Sequence, residues 1–397
     1  MTMVHRVEVI RLKSEHPIGV FCHLAKNLYN AANYNARRVF VRSGNRLLNS
    51  ELRKLMRGTA EYRALPAQSA QGVLSRLDKN WKAFFHSVKQ YNKNSDKFLG
   101  RPALPGYLKK DGEAVIPFTN QQCAIKGGVL KFPERINMEV KTGLGDITRL
   151  KEVRVVPIGY GYTVEIVYGK EVLDPKPKKN RIAAIDIGLA NLVTMVDNTG
   201  GVPVIVKGGA VKAMNQFYNK KRAYYQSINS HQRVGNTERT KRLDVKRSFK
   251  LRDYFYKATR KIIDICVQRD IDTLVIGHNE GWKQGIALGR RTNQNFVQVP
   301  YGMLIQQLSY KAQEKGIEMM VPDEAHTSKC SFLDGEAVEH HDEYAGRRFS
   351  RGLFRSAQGR VINANVNGGY NILKKAVPNA FSNGIEGVRV HPVRLSI

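Results

Sequence analysis

The segment covering residues 181–197 constrains the fold more than any other part of the sequence. Two apolar runs, separated by Gly188 and followed by a turn at 197–201, predict a β-hairpin of two buried strands. The first strand carries Asp186, an acid that is costly to bury unless a cation offsets its charge. Asp186 is therefore either a metal ligand or a turn residue at the end of a strand, and this segment alone leaves both open.

Charge is the second constraint. The chain has 397 residues, with 65 Lys and Arg against 34 Asp and Glu, a formal net charge of +31 and a pI near 10.0. Its length indicates two or three domains, and its charge indicates a polyanionic partner. No stretch is long and apolar enough for a membrane span or a signal peptide, so we expect the basic surface to meet nucleic acid in the cytosol and no membrane. Four scattered cysteines without a CxxC pair indicate neither a disulfide framework nor a cysteine-rich zinc site.

The first half of the chain changes pattern twice. Met3–Lys13 alternates like an edge strand, and residues 15–94 then show helical spacing, with Trp81, Phe84 and Phe85 expected in a core rather than in base stacking. A Pro- and Gly-rich basic loop at 97–110 suits phosphate contacts. Short β runs from 114 to 168 predict a small antiparallel barrel or sandwich that the first strand completes, ahead of a linker at 176–179.

The second half predicts three meander strands, a helix, a strand, a helix and a strand, the order of a ribonuclease-H-like mixed sheet. Its helical region around 212–261 is rich in Lys and Arg, which indicates either a solvated face or a groove that follows a nucleic-acid backbone. We predict that nucleic acid contacts Lys97, Arg101, Lys109, Lys110, Lys220, Lys221, Arg222, Lys246, Arg247, Lys257, Trp282 and Lys283.

In such a sheet, acids at the ends of the first, fourth and fifth strands converge. The acids at these ends are Asp186, Glu280, Asp323 and Glu324, although an acid in a surface loop, as Glu280 is, is more often an ordinary surface acid. Carboxylates gathered without a cation repel one another, so the cluster predicts Mg²⁺ or Mn²⁺. Two such ions about 4 Å apart can activate water and stabilise the leaving oxygen in phosphodiester hydrolysis.

Short motifs occur in the order seen in one known family. Residues 184–194 read Ala-Ile-Asp-Ile-Gly-Leu-Ala-Asn-Leu-Val-Thr, residues 326–334 read His-Thr-Ser-Lys-Cys-Ser-Phe-Leu-Asp, and residues 362–372 read Ile-Asn-Ala-Asn-Val-Asn-Gly-Gly-Tyr-Asn-Ile. Shorter matching segments are 97–110, 215–222, 253–258, 276–279, 282–284, 293–296 and 351–353. By these motifs the chain resembles the TnpB proteins of transposon insertion sequences, which are relatives of type V CRISPR effectors.

This resemblance implies an α/β multidomain, RNA-guided DNA endonuclease that binds a guide RNA and double-stranded target DNA. It implies a wedge-like β-barrel domain over 1–14 and 95–178, a helical recognition lobe over 15–94, and a RuvC-like nuclease domain over 179–397. Base pairing would read most of the target sequence, and basic grooves would read backbone shape. The resemblance does not fix the oligomeric state.

Three departures from the family pattern matter. Gly277 stands where many members carry the second catalytic acid, and a subgroup pattern maps that acid to Glu324, with Asp323 in reserve. The usual four-cysteine zinc ribbon is absent, so zinc is not expected, and only His326, His340 and His341 offer other donors. The motif that usually ends in Asp reads Asn363-Ala364-Asn365, and an uncharged amide holds a hard cation less tightly than a carboxylate does.

Asn365 leaves three explanations open: a natural nuclease-dead DNA binder, an introduced substitution, or residual cutting on Asp186 and Glu324. The leading hypothesis is an RNA-guided nuclease with weakened or abolished cleavage, and the alternative is a nuclease-dead, RNA-guided repressor. A third class, a basic RNA-binding or ribosome-associated protein, explains the charge but not the ordered motifs.

Overall fold

A computed structural model describes residues 2–146, 148–279, 281–284, 289–382, 384–385 and 387–397. The chain forms two compact units, an N-terminal unit over residues 3–171 and a C-terminal unit over residues 172–397 together with Thr2. None of the helices in the described ranges combines the length and the apolar character that a bilayer-spanning helix needs. Glu280, one of the acids considered above, lies outside the described residues.

The N-terminal unit contains four helices and seven strands in its described part. They are β1 (Thr2–Leu12), α1 (Ile18–Ser43), α2 (Asn49–Met56), α3 (Ala60–Arg63), α4 (Ala67–Lys93), β2 (Ile116–Thr119), β3 (Ala124–Lys126), β4 (Val129–Lys131), β5 (Glu139–Lys141), β6 (Arg149–Pro157) and β7 (Tyr162–Val172). The strands form two sheets, in the orders β1-β7-β6-β2 and β3-β4-β5. The first strand is an edge strand of this fold, as predicted, while the closed barrel stays a prediction.

One hydrophobic core joins the helices and strands of the N-terminal unit. Its helical part is built around Trp81, which is 2% exposed and donates from Nε1 to Asn33 Oδ1 at 3.3 Å. Phe84 and Phe85 are partly buried and pack against the same core, and their ring centroids lie 6.3 and 5.6 Å from that of Phe40. The prediction that these aromatic residues serve the core is confirmed.

The C-terminal unit contains five helices and nine strands in its described part. They are β8 (Ile182–Ile187), β9 (Asn191–Asp197), β10 (Val204–Lys207), α5 (Gly209–His231), α6 (Glu238–Gln268), β11 (Thr273–Ile276), α7 (Arg290–Val297), α8 (Tyr301–Glu314), β12 (Glu318–Met320), β13 (Arg347–Ser350), β14 (Leu353–Arg355), β15 (Val361–Asn363), α9 (Ala364–Ala376) and β16 (Val393–Leu395). The predicted basic helical region thus consists of two helices, α5 and α6.

The main sheet of this unit has the strand order β12-β11-β8-β9-β10-β16. Strands β8, β9 and β10 form an antiparallel meander, β11 pairs parallel with β8, and β12 pairs parallel with β11. The mixed sheet is therefore confirmed, with the fourth strand beside the first and the fifth strand on the far side of the fourth. The elements after β12, including the small β13-β14-β15 sheet and α9, were not predicted.

The hairpin of β8 and β9 has the close turn that the sequence indicates. A Cβ on Gly188 would stand 2.9 Å from the carbonyl oxygen of Asn191, so a larger residue there would push the turn open. At the far end of the hairpin, Asp197 is 1% exposed, accepts the backbone N–H groups of Thr199 and Gly201, and forms an ion pair with Arg269. These contacts fix both ends of the strand pair that carries Asp186.

Candidate metal site and nucleic-acid surface

Asp186 lies near the end of β8 on the face of the sheet that α9 covers. Alternate residues of a strand share a face, and Ile182 and Ala184 belong to the core that α9 forms with the sheet. Asp186 is itself partly exposed, and its Oδ2 lies 3.7 Å from the point where a Cβ on Gly368 would stand. The missing side chain of Gly368 on α9 therefore leaves open space beside this carboxylate.

Glu324 reaches the same place from the segment that follows β12. Its backbone N–H donates to Asn279 Oδ1 at 2.8 Å, and the His278 N–H donates to the Pro322 carbonyl at 3.2 Å. These bonds tie the segment to the chain that leaves β11, the neighbour of β8. Gly277 lies at that exit, and a Cβ there would stand 2.9 Å from Glu324 Oε2. Ile372 of α9, whose Cδ1 would stand 2.5 Å from the same Cβ, and the carboxylate together fill the space that a side chain at position 277 would occupy.

Asn365 approaches from α9. Asn363 is the N-cap residue of this helix, and its Oδ1 accepts the backbone N–H groups of Asn365 at 3.0 Å and Val366 at 3.3 Å. The cap starts the helix so that Asn365 lies in the first turn, three residues before Gly368. Residues three apart lie on one face of a helix, and Gly368 meets Asp186. Asn365 therefore belongs to the helix face that meets Asp186.

The two carboxylates of this site repel each other. Burial is the largest cause that raises the pKa of Glu324 to about 7, followed by the charges of Asp186 and Asp323. Burial also raises the pKa of Asp186 to about 6, and Arg348 on β13 offsets this only in part. A divalent cation would remove the repulsion and take oxygen ligands. The donor set of Asp186, Glu324 and Asn365 thus fits one hard cation such as Mg²⁺ or Mn²⁺.

Asp323, the reserve ligand, is engaged elsewhere. Its carboxylate accepts Lys375 Nζ of α9 at 3.0 Å and the backbone N–H of Ala325 at 3.2 Å, and the bond to Lys375 is the main cause that lowers its pKa. Within the described ranges, no three His, Cys, Asp or Glu side chains come close enough together to hold a metal ion. This is in keeping with an amide at the third position of the site.

Two buried asparagines of α9 fix the loop that continues from Glu324. Asn371 Nδ2 donates to the carbonyls of Thr327 at 2.8 Å and Cys330 at 2.7 Å, and Asn367 Nδ2 donates to Cys330 at 2.8 Å. Thr327 in turn donates its hydroxyl to the Glu324 carbonyl at 2.8 Å. The sequence analysis gave these asparagines no role. Their spacing of four residues within a largely apolar helix was the available signal, because it places two amides on one buried face.

Most of the residues predicted to contact nucleic acid have exposed side chains. The exposed residues of this set are Lys97, Arg101, Lys109, Lys110, Lys220, Lys221, Arg222, Lys246 and Lys257. One of them, Lys257, forms an ion pair with Asp253 one helical turn away at 2.7 Å, which solvent weakens at such an exposed place.

The three remaining residues of the set serve the fold instead. Arg247 donates to Asn215 Oδ1 and to the Gln298 carbonyl, both at 2.8 Å. Lys283 Nζ donates to two backbone carbonyls at and beyond the end of α7, at 3.1 and 2.5 Å. Trp282 packs at 4.8 to 4.9 Å between ring centroids against His278, Phe296 and Tyr301. Charge and aromaticity in the sequence do not reveal such internal partners. For these three residues, contact with nucleic acid stays a prediction.

The side chains considered as zinc donors contact protein groups. The rings of His326 and His340 lie 5.7 Å apart, and Tyr344 Oη lies 3.4 Å from His326 Nδ1. His341 Nε2 lies 2.8 Å from the Ala337 carbonyl. Cys330 is buried, which raises the pKa of its thiol.

Comparison with known protein families gives two matches in the C-terminal part of the chain. Residues 163–283 match the family OrfB_IS605, described as a probable transposase. Residues 301–372 match the family Cas12f1-like, TNB domain. The second match contains Glu324, Asn365 and the asparagines of α9, so it covers the loop and helix that complete the site.

Two individual proteins extend these matches over most of the chain. The TnpB-like protein ORF457 of Acidianus two-tailed virus is 22% identical over 418 residues, covering 94% of this chain and 87% of that protein. The structure of a Cas12f1-sgRNA-target DNA complex contains a chain that is 15% identical, with a TM-score of 0.54, covering 89% of this chain and 82% of that one. At this identity the structural similarity concerns the fold. By these matches the chain is similar to a TnpB-like protein over most of its length, and to the OrfB_IS605 and Cas12f1-like families over parts of its C-terminal half.

Proposed function

We propose that this chain is an RNA-guided DNA-binding protein of the TnpB type, with a RuvC-like site that hydrolyses DNA phosphodiesters weakly or not at all. The observation that carries the proposal is the meeting of Asp186 and Glu324 beside the exit of β11, with Asn365 on the adjoining helix face. Although the two acids are far apart in the chain, burial and then the charge of Asp186 raise the pKa of Glu324. The repulsion between the two carboxylates favours a cation as their common partner.

The domain assignment follows from the same strand order. In the C-terminal unit, the parallel strands β11 and β12 lie on one side of β8, and β9 and β10 lie on its other side. This strand order supports a ribonuclease-H-like RuvC domain over 179–397. Residues 15–94 form the helical recognition lobe of the proposal, and 1–14 with 95–178 form its wedge-like domain.

The residues of the site divide the work. Asp186 and Glu324 would hold the cation, and both would then stay ionised at neutral pH. A divalent cation at this place would supply an activated water and stabilise charge on the scissile phosphate. Asn365 offers its carbonyl oxygen as a ligand without negative charge, so it would hold a second cation poorly. Cleavage that depends on two cations is therefore the step that this amide weakens.

Guide RNA and double-stranded target DNA are the proposed partners. The named relative of solved structure is a complex with single-guide RNA and target DNA, and the net charge of +31 supplies the counter-charge that two nucleic acids require. The exposed basic residues of the 97–110 loop, α5 and α6 are the proposed phosphate contacts. A protein with these partners acts in the cytoplasm of a prokaryote, at the nucleoid.

The second candidate function is that of a nuclease-dead, RNA-guided repressor. Asn365 favours it, because loss of the third carboxylate removes charge from the site without removing the surfaces that bind nucleic acid. The two functions differ in one measurement, cleavage of guide-matched DNA in Mg²⁺ by the chain as it stands. Cleavage that Asp186→Ala abolishes supports the nuclease, and tight matched-DNA binding without cleavage supports the repressor.

The guide RNA itself is tested by purifying the chain from cells that carry its native flanking DNA and sequencing the RNA that copurifies. One discrete RNA species with a variable end supports the proposal. A random sample of cellular RNA contradicts guidance and leaves a general basic RNA binder.

A further inference from the structure

Helix α5 carries a line of exposed side chains with an unusual composition. Phe217 is 58% exposed and Tyr224 is 60% exposed, and Lys220 and Lys221 are exposed between them. The spacing of three, four and seven residues places all four on one face of the helix. We call this face, made of Phe217, Lys220, Lys221 and Tyr224, the α5 stripe. It extends over about 10 Å of helix axis.

The α5 stripe is not the packing face of its helix. The buried residues of α5 are Val211, Asn215, Tyr218 and Asn229, which lie on another side. Tyr218 Oη donates to Asp244 of α6 at 2.6 Å, so this buried side holds α5 against α6. The aromatic rings of the stripe therefore do not contribute to the core that holds the helix in place.

The charge of α5 selects an anionic occupant. The helix contains Lys212, Lys220, Lys221 and Arg222 and has no Asp or Glu among its 23 residues. A second copy of this chain would bring the same cations against them, in a protein with a net charge of +31. Single exposed aromatic residues are ordinary on protein surfaces. Here two aromatic rings are aligned with two lysines on a helix that has no acidic residue. Such a surface suits a polyanion that also carries flat apolar groups.

Among nucleic acids, the rings distinguish single strands from duplexes. Bases in a duplex are stacked on one another and offer only their edges and phosphates, which lysines alone can contact. Unpaired bases expose their faces, and aromatic side chains stack on them at about 1–3 kcal/mol per base. We propose that the α5 stripe binds single-stranded nucleic acid, with Phe217 and Tyr224 stacking on bases and Lys220 and Lys221 contacting phosphates.

The proposal does not depend on the metal site, so it is tested in EDTA with the full chain. The probes are a labelled single-stranded oligonucleotide without self-complementarity and a duplex of the same length, and the readout is fluorescence anisotropy. Phe217→Ala with Tyr224→Ala should weaken single-strand binding about tenfold or more, while duplex binding changes by less than about twofold. The double variant Phe217→Tyr with Tyr224→Phe should retain single-strand binding.

Two controls separate stacking from charge. Lys220→Gln with Lys221→Gln should weaken both probes and lower the slope of log affinity against log salt by about two. Tyr34→Ala removes a ring that is 57% exposed on α1 and should leave the preference between the probes unchanged. Equal losses on both probes in the Phe217 and Tyr224 double variant would mean that the stripe does not recognise bases. Unchanged single-strand binding would mean that its occupant is not a nucleic acid; either result overturns the proposal.

Discussion

Asn365→Asp changes the charge of the proposed site by one unit and its shape hardly at all. Without metal, the new carboxylate joins Asp186 and Glu324, which have pKa values raised to about 6 and 7. One more like charge beside these acids costs about 1–2 kcal/mol at high pH when solvent screens part of the repulsion, and its place in the first turn of α9 returns about half of that. We expect the melting temperature in EDTA to fall by about 2–4 °C.

With Mg²⁺ the sign reverses. A unit negative charge about 4 Å from a divalent cation gains about 8 kcal/mol at an effective dielectric constant of 20, before desolvation is subtracted. A net gain of about 3–4 kcal/mol corresponds to about two to three orders of magnitude in metal affinity. Cleavage of guide-matched DNA should rise by at least this factor, because the third carboxylate also helps to hold a second cation.

The assay measures melting temperature across a Mg²⁺ titration, and then cleavage of matched DNA by the guide-loaded protein. Asn363→Asp is the matched control: it adds the same charge two residues away, and Asp caps a helix as well as Asn does. Only Asn365→Asp should show the larger Mg²⁺-dependent stabilisation. Equal Mg²⁺ shifts and equal cleavage in the original chain and in Asn365→Asp would refute the role given to this position.

Three further changes test the surroundings of the site. Asp186→Asn in EDTA at about pH 8 should raise the free energy of unfolding by about 1–2 kcal/mol, since raising the pKa from 3.8 to about 6 is worth about 3 kcal/mol before solvent screening. In urea unfolding the gain should shrink as the pH falls through about 6 and vanish only below about pH 4, where the carboxyl group is protonated in both states. Asn371→Ala leaves the buried Thr327 carbonyl without its amide donor, while the Cys330 carbonyl keeps the bond from Asn367. The urea midpoint should therefore report a loss of about 1–3 kcal/mol, and an unchanged midpoint would contradict the role of Asn371 in fixing the loop. Gly277→Ala should displace the Glu324 carboxylate and reduce the Mg²⁺-induced thermal shift. Gly368→Ala is its control and should fold normally, because the added Cβ makes only an ordinary contact at 3.7 Å.

Much of the C-terminal sheet could be predicted because its strands are short apolar runs in a fixed order. The hairpin around Gly188, the buried strand β11 and the later strand β12 each had a clear pattern, and parallel pairing beside β8 then brings Asp186 towards the acids after β12. The approach of Glu324 past Gly277 was harder to predict, because it depends on hydrogen bonds between two loops that periodicity does not show.

The internal contacts of Arg247, Trp282 and Lys283 were not predicted for a related reason. A cation or an aromatic ring in a basic region can face either solvent or an internal acceptor, and composition is the same in both cases. Only the folded chain places backbone carbonyls beside Lys283 and an amide beside Arg247. By contrast, the exposed lysines on α5 follow directly from its helical spacing, because its packing face is already complete.

The side-chain amides of Asn367 and Asn371 hold the loop after Glu324 in place, so the geometry of the site does not depend on the charge at position 365. The same helix that presents position 365 also anchors the opposing acid, through bonds that do not involve residue 365 at all. On the proposed function, an exchange of one carboxylate oxygen for one NH₂ group at position 365 would weaken cleavage while the rest of the site stays in place. The reverse exchange, Asn365→Asp, needs a single codon change, so a cutting and a non-cutting form of such a protein would lie one substitution apart.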